Sequence, residues 1–154
     1  MSIVIPDGAK PSNAYLDKIK LVRGDISTFE GDAIFSLLPH SLDYTGSVNQ
    51  SLFHSAGPEM DEFVLEHIYK PRIGDVYAVP GFNLPARNII FAFRPPWKND
   101  FDREDKHLVT CVRKAMVLAK CMLLRRVAVP PLAAGKRGYG PRRSARLVLQ
   151  GIFD

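Results

Sequence analysis

The residues best suited to chemistry in this chain of 154 residues lie in one stretch, Val127-Ala-Val-Pro-Pro-Leu-Ala-Ala-Gly135-Lys136-Arg137-Gly138-Tyr139-Gly140-Pro141. An apolar, strand-like run opens into a loop with three glycines, and a helix-like segment follows from Arg142. Glycine lets a backbone approach a ligand closely, and N–H groups bunched ahead of a helix N-terminus form an anion site. Five cations, Lys136, Arg137, Arg142, Arg143 and Arg146, stand here with no acid among them. The stretch reads as a phosphate-binding loop, for phosphate or diphosphate, and equally as an ordinary strand–helix connection. The loops upstream decide between the two.

Other reactive groups are sparse. His40 and Asp43 share a loop, and a His–Asp pair can activate water; a histidine at a loop start is more often a polar surface residue. His54 reads as helix packing. Cys111 and Cys121 lie ten residues apart in what looks like a single helix. At 1.5 Å per residue that is roughly 15 Å, beyond the reach of a disulfide, so both read as interior thiols. No metal-ligand spacing is present, and neither a metal nor a cofactor is expected.

Composition limits the possibilities. A hydrophobic share of 46% and a charged share of 24% suit one globular domain. No apolar run approaches the length of a membrane span, and Met1-Ser-Ile-Val-Ile-Pro6-Asp7 lacks the basic start and long apolar core of a signal peptide. The expectation is a cytoplasmic protein with no membrane partner. The net charge of +5 is local, concentrated at Arg125-Arg126 and at 136–146. A nucleotide, a nucleic acid or no anionic partner at all is compatible with it.

Hydrophobic periodicity supplies the elements that must position these groups. Strands are expected at Ile19–Val22, Ala33–Leu38, Val76–Val79, Asn88–Phe93 and Val127–Val129. Helices are expected at Val48–Ala56, closed by Gly57-Pro58, at Pro58–His67, at about Asp105–Leu124 and at about Arg142–Ile152. In the third helix Leu108, Cys111, Val112, Ala115, Met116, Ala119, Met122 and Leu123 form an apolar stripe expected to be core. Alternating strands and helices predict an α/β fold, a three-layer α/β/α sandwich around a mixed, mostly parallel sheet. Residues 1–14 read as a flexible N-terminal extension and 15–154 as a single domain. In such sheets ligands sit beyond the carboxyl ends of the strands, where the Gly24-Asp25, Pro39–Val48 and Ala133–Pro141 loops would converge.

Taken in order, these loops resemble the macro domain, the α/β/α module that binds ADP-ribose. The resemblance runs through Val22-Arg-Gly24-Asp25-Ile26, Asp32-Ala33-Ile34, Gly46-Ser47-Val48-Asn49 and Leu52-Phe-His54-Ser-Ala56-Gly57. It continues through Gly74-Asp-Val-Tyr-Ala-Val-Pro80-Gly81-Phe82-Asn83-Leu84-Pro85-Ala86-Arg87 to the loop 133–141, covering about Lys18 to Arg146. It implies that Asp25 accepts a hydrogen bond from the adenine amino group, which suits an acceptor-only carboxylate, while the Ile26 N–H completes the base edge. It also implies that Gly46, Ser47 and Val48 wrap the distal ribose and diphosphate. Ala134, Gly135, Lys136, Arg137, Gly138 and Tyr139 would form the second phosphate loop. Read without the resemblance, Asp25 merely caps a turn.

Departures from the family pattern fall where catalysis would be. Members that process ADP-ribose carry Asn-Ala-Ala-Asn where this chain has Ser36-Leu37-Leu38-Pro39, and proline offers neither an N–H nor an amide. Many hydrolytic members have an Asp where this chain has Asn49, and a carboxamide is no general base. Tyr44-Thr45 replaces small residues, and Ala133-Ala134 replaces the Ser-Thr of the second phosphate loop. The family's last strand, with its adenine-stacking aromatic, is not legible before Asp154; Phe82, Tyr139 and Phe153 are the substitutes considered. A missing strand would leave a sheet edge open to self-association. The expected function is binding of ADP-ribose, of an ADP-ribosylated molecule or of a related adenine nucleoside diphosphate, without efficient catalysis. The alternatives are an ADP-ribosyl or O-acetyl-ADP-ribose hydrolase with a rearranged site using His40, Asp43 or Asn49, a nucleic-acid-binding module using the basic 136–146 surface, and a scaffold with a defunct pocket.

Overall fold

The computed structural model describes residues 18–39, 47–68, 70–72, 74–94, 101–130 and 141–153, with backbone alone at Pro39, Ser47, Val48, Arg94, 101–104, Pro141 and Phe153. After a 3-10 turn at Ile26–Thr28, the chain forms strand β1 (Ala33–Pro39), helices α1 (Ser47–Ala56) and α2 (Pro58–His67), and strands β2 (Val76–Pro80) and β3 (Asn88–Arg94). Helix α3 (Phe101–Cys121), strand β4 (Val127–Ala128) and helix α4 (Pro141–Phe153) complete it. The sheet order is β2-β3-β1-β4. β1 runs parallel to β3, from Ala33 opposite Asn88 to Pro39 opposite Arg94, and parallel to β4 at Ala33 and Ile34. β2 pairs antiparallel with β3. The sheet is mixed, as expected.

β1 is apolar without alternation because both of its faces are covered. Ile34 and Leu38 join Ile89, Phe91 and Phe93 of β3 against Leu52, Phe53, Ala56, Met60 and Val64 of α1 and α2. On the opposite face, Ala33, Phe35 and Leu37 with Ile90 and Ala92 meet Leu108, Cys111, Val112 and Ala115 of α3 and Leu147 and Val148 of α4. Burying each large side chain contributes about 1.5–3 kcal/mol, and these two clusters hold the three layers together.

Four expectations fail where side chains meet solvent. Ile19–Val22 forms no strand: Leu21 and Val22 are 44% and 66% exposed. Four alternating residues cannot hold a strand without a neighbour to pair with, and β4 occupies the described edge beside β1. α3 closes at Cys121, after which Leu123 turns to φ 59 and stands 85% exposed, so Met122 and Leu123 leave the core stripe. Cys121 is exposed, and so is His54 on the outer side of α1, so neither packs inside.

The segment from Pro80 to Arg87 shows why a sequence motif can be legible over its whole length. Gly81 donates its N–H to the Arg87 carbonyl and accepts from the Leu84 N–H; a Cβ there would lie 2.0 Å from the Ala86 carbonyl oxygen. Phe82 sits at φ 52, and the Asn83 N–H caps α1 through the Ala56 carbonyl. The turn thus ties the β2–β3 connection to the α1–α2 junction. Gly81→Ala forces backbone against backbone and is expected to cost about 3 kcal/mol, near the upper end of overpacking effects, read by chemical denaturation.

Asp32 holds the other end of β1. Its Oδ2 accepts the N–H groups of Arg125 and Arg126 at 2.7 and 2.9 Å, while the Asp32 and Ala33 N–H groups donate to the Arg126 carbonyl. The Arg126 and Arg125 N–H groups hold its carboxyl below the ordinary aspartate value of 3.8. The stabilisation is therefore fully present above that value and is lost as pH falls through the lower folded value. Asp32→Asn is expected to be less stable than wild type at neutral pH, with the difference narrowing below pH about 4 in denaturation curves taken across the range.

Candidate functional site

β1, β3 and β4 are parallel, so their carboxyl ends lie along one edge of the sheet. The connections from β1 to α1 and from β4 to α4 both leave from that edge, which places the starts of α1 and α4 toward it. The topology therefore brings the starts of α1 and α4 to one end of the fold, where ligands of parallel sheets bind. His40, Asp43 and Gly46 lie outside the described residues, as do Ala134, Gly135, Lys136, Arg137, Gly138 and Tyr139. Ser47 and Val48 are described in backbone only, as the first residues of α1.

Asn49, one turn into α1, is 8% exposed and fully engaged. Its Oδ1 accepts from Ser36 Oγ at 2.5 Å, and its Nδ2 donates to the Leu37 carbonyl at 2.8 Å. Beyond Ile34, β1 is paired only with β3 among the described residues, and the Asn49 amide supplies the donor that Leu37 receives. A carboxylate at this position could not donate. The arrangement therefore requires an amide, and both of its polar ends are held by β1. Ser36, 2% exposed, owes its place in an otherwise apolar strand to this bond. That lone serine is the sequence signal that would have revealed the pair.

Asp25 lies on the α1 side of the sheet, at the head of a 3-10 turn that packs on α1. Its Oδ1 accepts from both the Ser27 N–H at 2.9 Å and Ser27 Oγ at 2.7 Å. The Ser27 hydroxyl, then its N–H, hold the carboxyl below the ordinary aspartate value. Capping and ligand contact are compatible here, because Asp25 is exposed and its Oδ2 has no partner among the described residues. Ile26 beside it is buried in the core, which fixes the turn's orientation.

Other sequence candidates have structural roles. The Phe82 ring is met edge-on by Phe63 at 5.7 Å, and Phe63 stacks on His67 at 4.0 Å. The Phe153 side chain, like Tyr139, is outside the described residues. Burial pushes the Cys111 thiol up to about 11, so it stays protonated at neutral pH and is no nucleophile. Among the described residues no three of His, Cys, Asp and Glu are grouped to hold a metal ion, and no helix is long and apolar enough to cross a membrane.

Comparison with known proteins accounts for this arrangement. The family model of the macro domain matches residues 39–148. A macro domain-containing protein of Ralstonia nicotianae is 31% identical over 136 residues, covering 88% of this chain and 79% of that protein. The macrodomain of Oceanobacillus iheyensis, solved with ADP, superposes with a TM-score of 0.75 at 30% identity over 84% of this chain and 71% of that one. A mutant of the same macrodomain, solved with ADPR, gives a TM-score of 0.74 at 29% identity, covering 84% of this chain and 73% of that one. The chain belongs to the macro domain family.

Proposed function

We propose that the protein binds ADP-ribose, free or attached to another molecule, at the carboxyl edge of β1 and β4, and does not turn it over efficiently. One observation carries the binding reading: Asp25 presents an exposed carboxylate oxygen, held in place through its other oxygen by Ser27. An acceptor-only group so fixed matches the adenine amino donor. Solved relatives with ADP and with ADPR support the ligand class. The starts of α1 and α4 supply backbone N–H groups and positive dipole ends suited to a diphosphate.

The absence of efficient turnover rests on Asn49. Hydrolysis needs a group that takes a proton from water, typically a contribution of roughly 10²–10⁴-fold. An amide bonded at both ends to β1 can neither take that proton nor move toward the ligand. Cytoplasmic placement is part of the same proposal, as ADP-ribose is a soluble metabolite-like ligand and the exposed thiol of Cys121 is free.

Two experiments test this reading. In calorimetric titration, Asp25→Asn keeps an acceptor for Ser27 but turns a donor toward the adenine, and is expected to weaken ADP-ribose binding about ten- to hundredfold. Discrimination against the inosine analogue should fall with it; unchanged affinity returns Asp25 to turn capping alone. Asn49→Asp places a carboxylate against the Leu37 carbonyl and is expected to cost about 1–3 kcal/mol of stability. Combined with Pro39→Asn it restores both family devices, and product release from O-acetyl-ADP-ribose should rise above the near-zero wild-type level. Ordinary enzyme turnover by the wild-type protein would overturn the non-hydrolytic half of the proposal.

A further inference from the structure

α3 and α4 lie side by side and run in the same direction. Arg143 pairs with Asp105 near their starts, and further along Gly151 is so close to α3 that a Cβ would meet Val112 at 2.6 Å and the Val109 carbonyl at 3.0 Å. Between them, on the outer side of the sandwich, is a groove of about 390 Å³ lined by Lys106, Val109, Thr110, Arg146, Leu147 and Gln150, with Asp105 also in its wall.

The helical period gives this groove two charged banks. Lys106, Thr110, Arg113, Val117 and Lys120 follow at steps of three and four, on one stripe of α3. All are exposed except the half-buried Thr110. Arg142, Arg146 and Gln150 form the matching exposed stripe of α4. From Lys106 to Lys120 there is no acid, and α4 has none anywhere. Asp105 is held by Arg143, and none of the five stripe cations is paired with an acid among the described residues. A stripe reaching from Lys106 to Lys120 spans roughly 21 Å.

We propose that this α3–α4 face binds a single-stranded polynucleotide through its phosphates. A phosphodiester chain carries charge at every residue and needs only evenly spaced cations and a shallow track, which is what the two stripes supply. Three of the five cations are arginines, whose planar guanidinium matches phosphate oxygens two at a time. An acidic peptide would need side-chain anchor pockets or open backbone pairing groups, whereas the floor here is two helices with only Val109 and Leu147 as apolar contacts. With no aromatic ring along either stripe, the face reads charge and not base identity. Only Arg142 of this track stands at the start of α4; the rest runs along α3 and the body of α4, away from the carboxyl edge of β1, so the proposal does not rest on ADP-ribose binding.

The test uses the full chain and an oligouridine of about 12 nucleotides, a length within the range of single-strand binding sites. Uridine offers no adenine to the Asp25 site. Fluorescence anisotropy across salt concentrations should give binding with a log–log slope of about −2 to −3.5, as for three to five phosphate contacts at −0.7 each. The variant Lys106→Gln, Arg113→Gln, Lys120→Gln removes three exposed charges of α3 and should keep the wild-type melting temperature and ADP-ribose affinity. Its oligouridine affinity should fall at least tenfold and its slope should flatten by about 2. Saturating ADP-ribose should leave oligouridine binding unchanged. The proposal is overturned if wild type does not bind at low salt, if the variant binds as wild type does, if ADP-ribose competes, or if polyglutamate of equal charge binds as tightly as the oligouridine.

Discussion

The side-chain amide of Asn49 is the point at which fold and chemistry constrain each other. β1 is covered on both faces, and beyond Ile34 it is paired along only one edge among the described residues. A buried carbonyl without a donor costs about 1–3 kcal/mol, and Leu37 receives its donor from Asn49. The same amide takes the Ser36 hydroxyl, so the first turn of α1 is locked to the strand that leads into the site. That lock sets where the α1 N-terminus stands. It also removes the side chain at this position from any part in proton transfer.

Two aspartates close to one another in sequence show how context sets what the same side chain holds. Asp32 accepts two N–H groups at Oδ2 and joins the entrances of β1 and β4. Asp25 uses Oδ1 for the Ser27 cap and has Oδ2 exposed. Both carboxyls are held below the ordinary aspartate value, Asp25 by the Ser27 hydroxyl and then the Ser27 N–H, Asp32 by the Arg126 and Arg125 N–H groups. The capping contact at Asp25 is compatible with recognition of a base because it immobilises the group before a ligand arrives, which lowers the entropic cost of binding.

Much of the architecture was legible because burial writes itself into the sequence. The apolar runs of β1, broken only by Ser36, and of β3 announced strands covered on both sides, and the three-and-four spacing of Leu108, Cys111, Val112 and Ala115 announced the inner face of α3. Legibility failed where no packing partner exists. Ile19–Val22 has a strand-like pattern but no place in the sheet, and Met122 and Leu123 continue the helical period past the point where the helix stops. The site was legible only as identities. Asn49 stood out by its position, yet its bonds to Ser36 and Leu37, thirteen and twelve residues away, are properties of the folded pair. The Asp105–Arg143 contact left no local trace at all, since 38 residues separate its partners.

The central claim, that ADP-ribose enters beside Asp25 while Asn49 stays bound to β1, is tested most directly by amide chemical shifts during an ADP-ribose titration of isotope-labelled protein. The account predicts that the backbone amides of Ile26, Ser27 and Val48 move with ligand. The Asn49 side-chain amide protons should keep their shifts and their protection from solvent exchange. Saturation without movement at Ile26 and Ser27, or release of the Asn49 side-chain amide on binding, would contradict it.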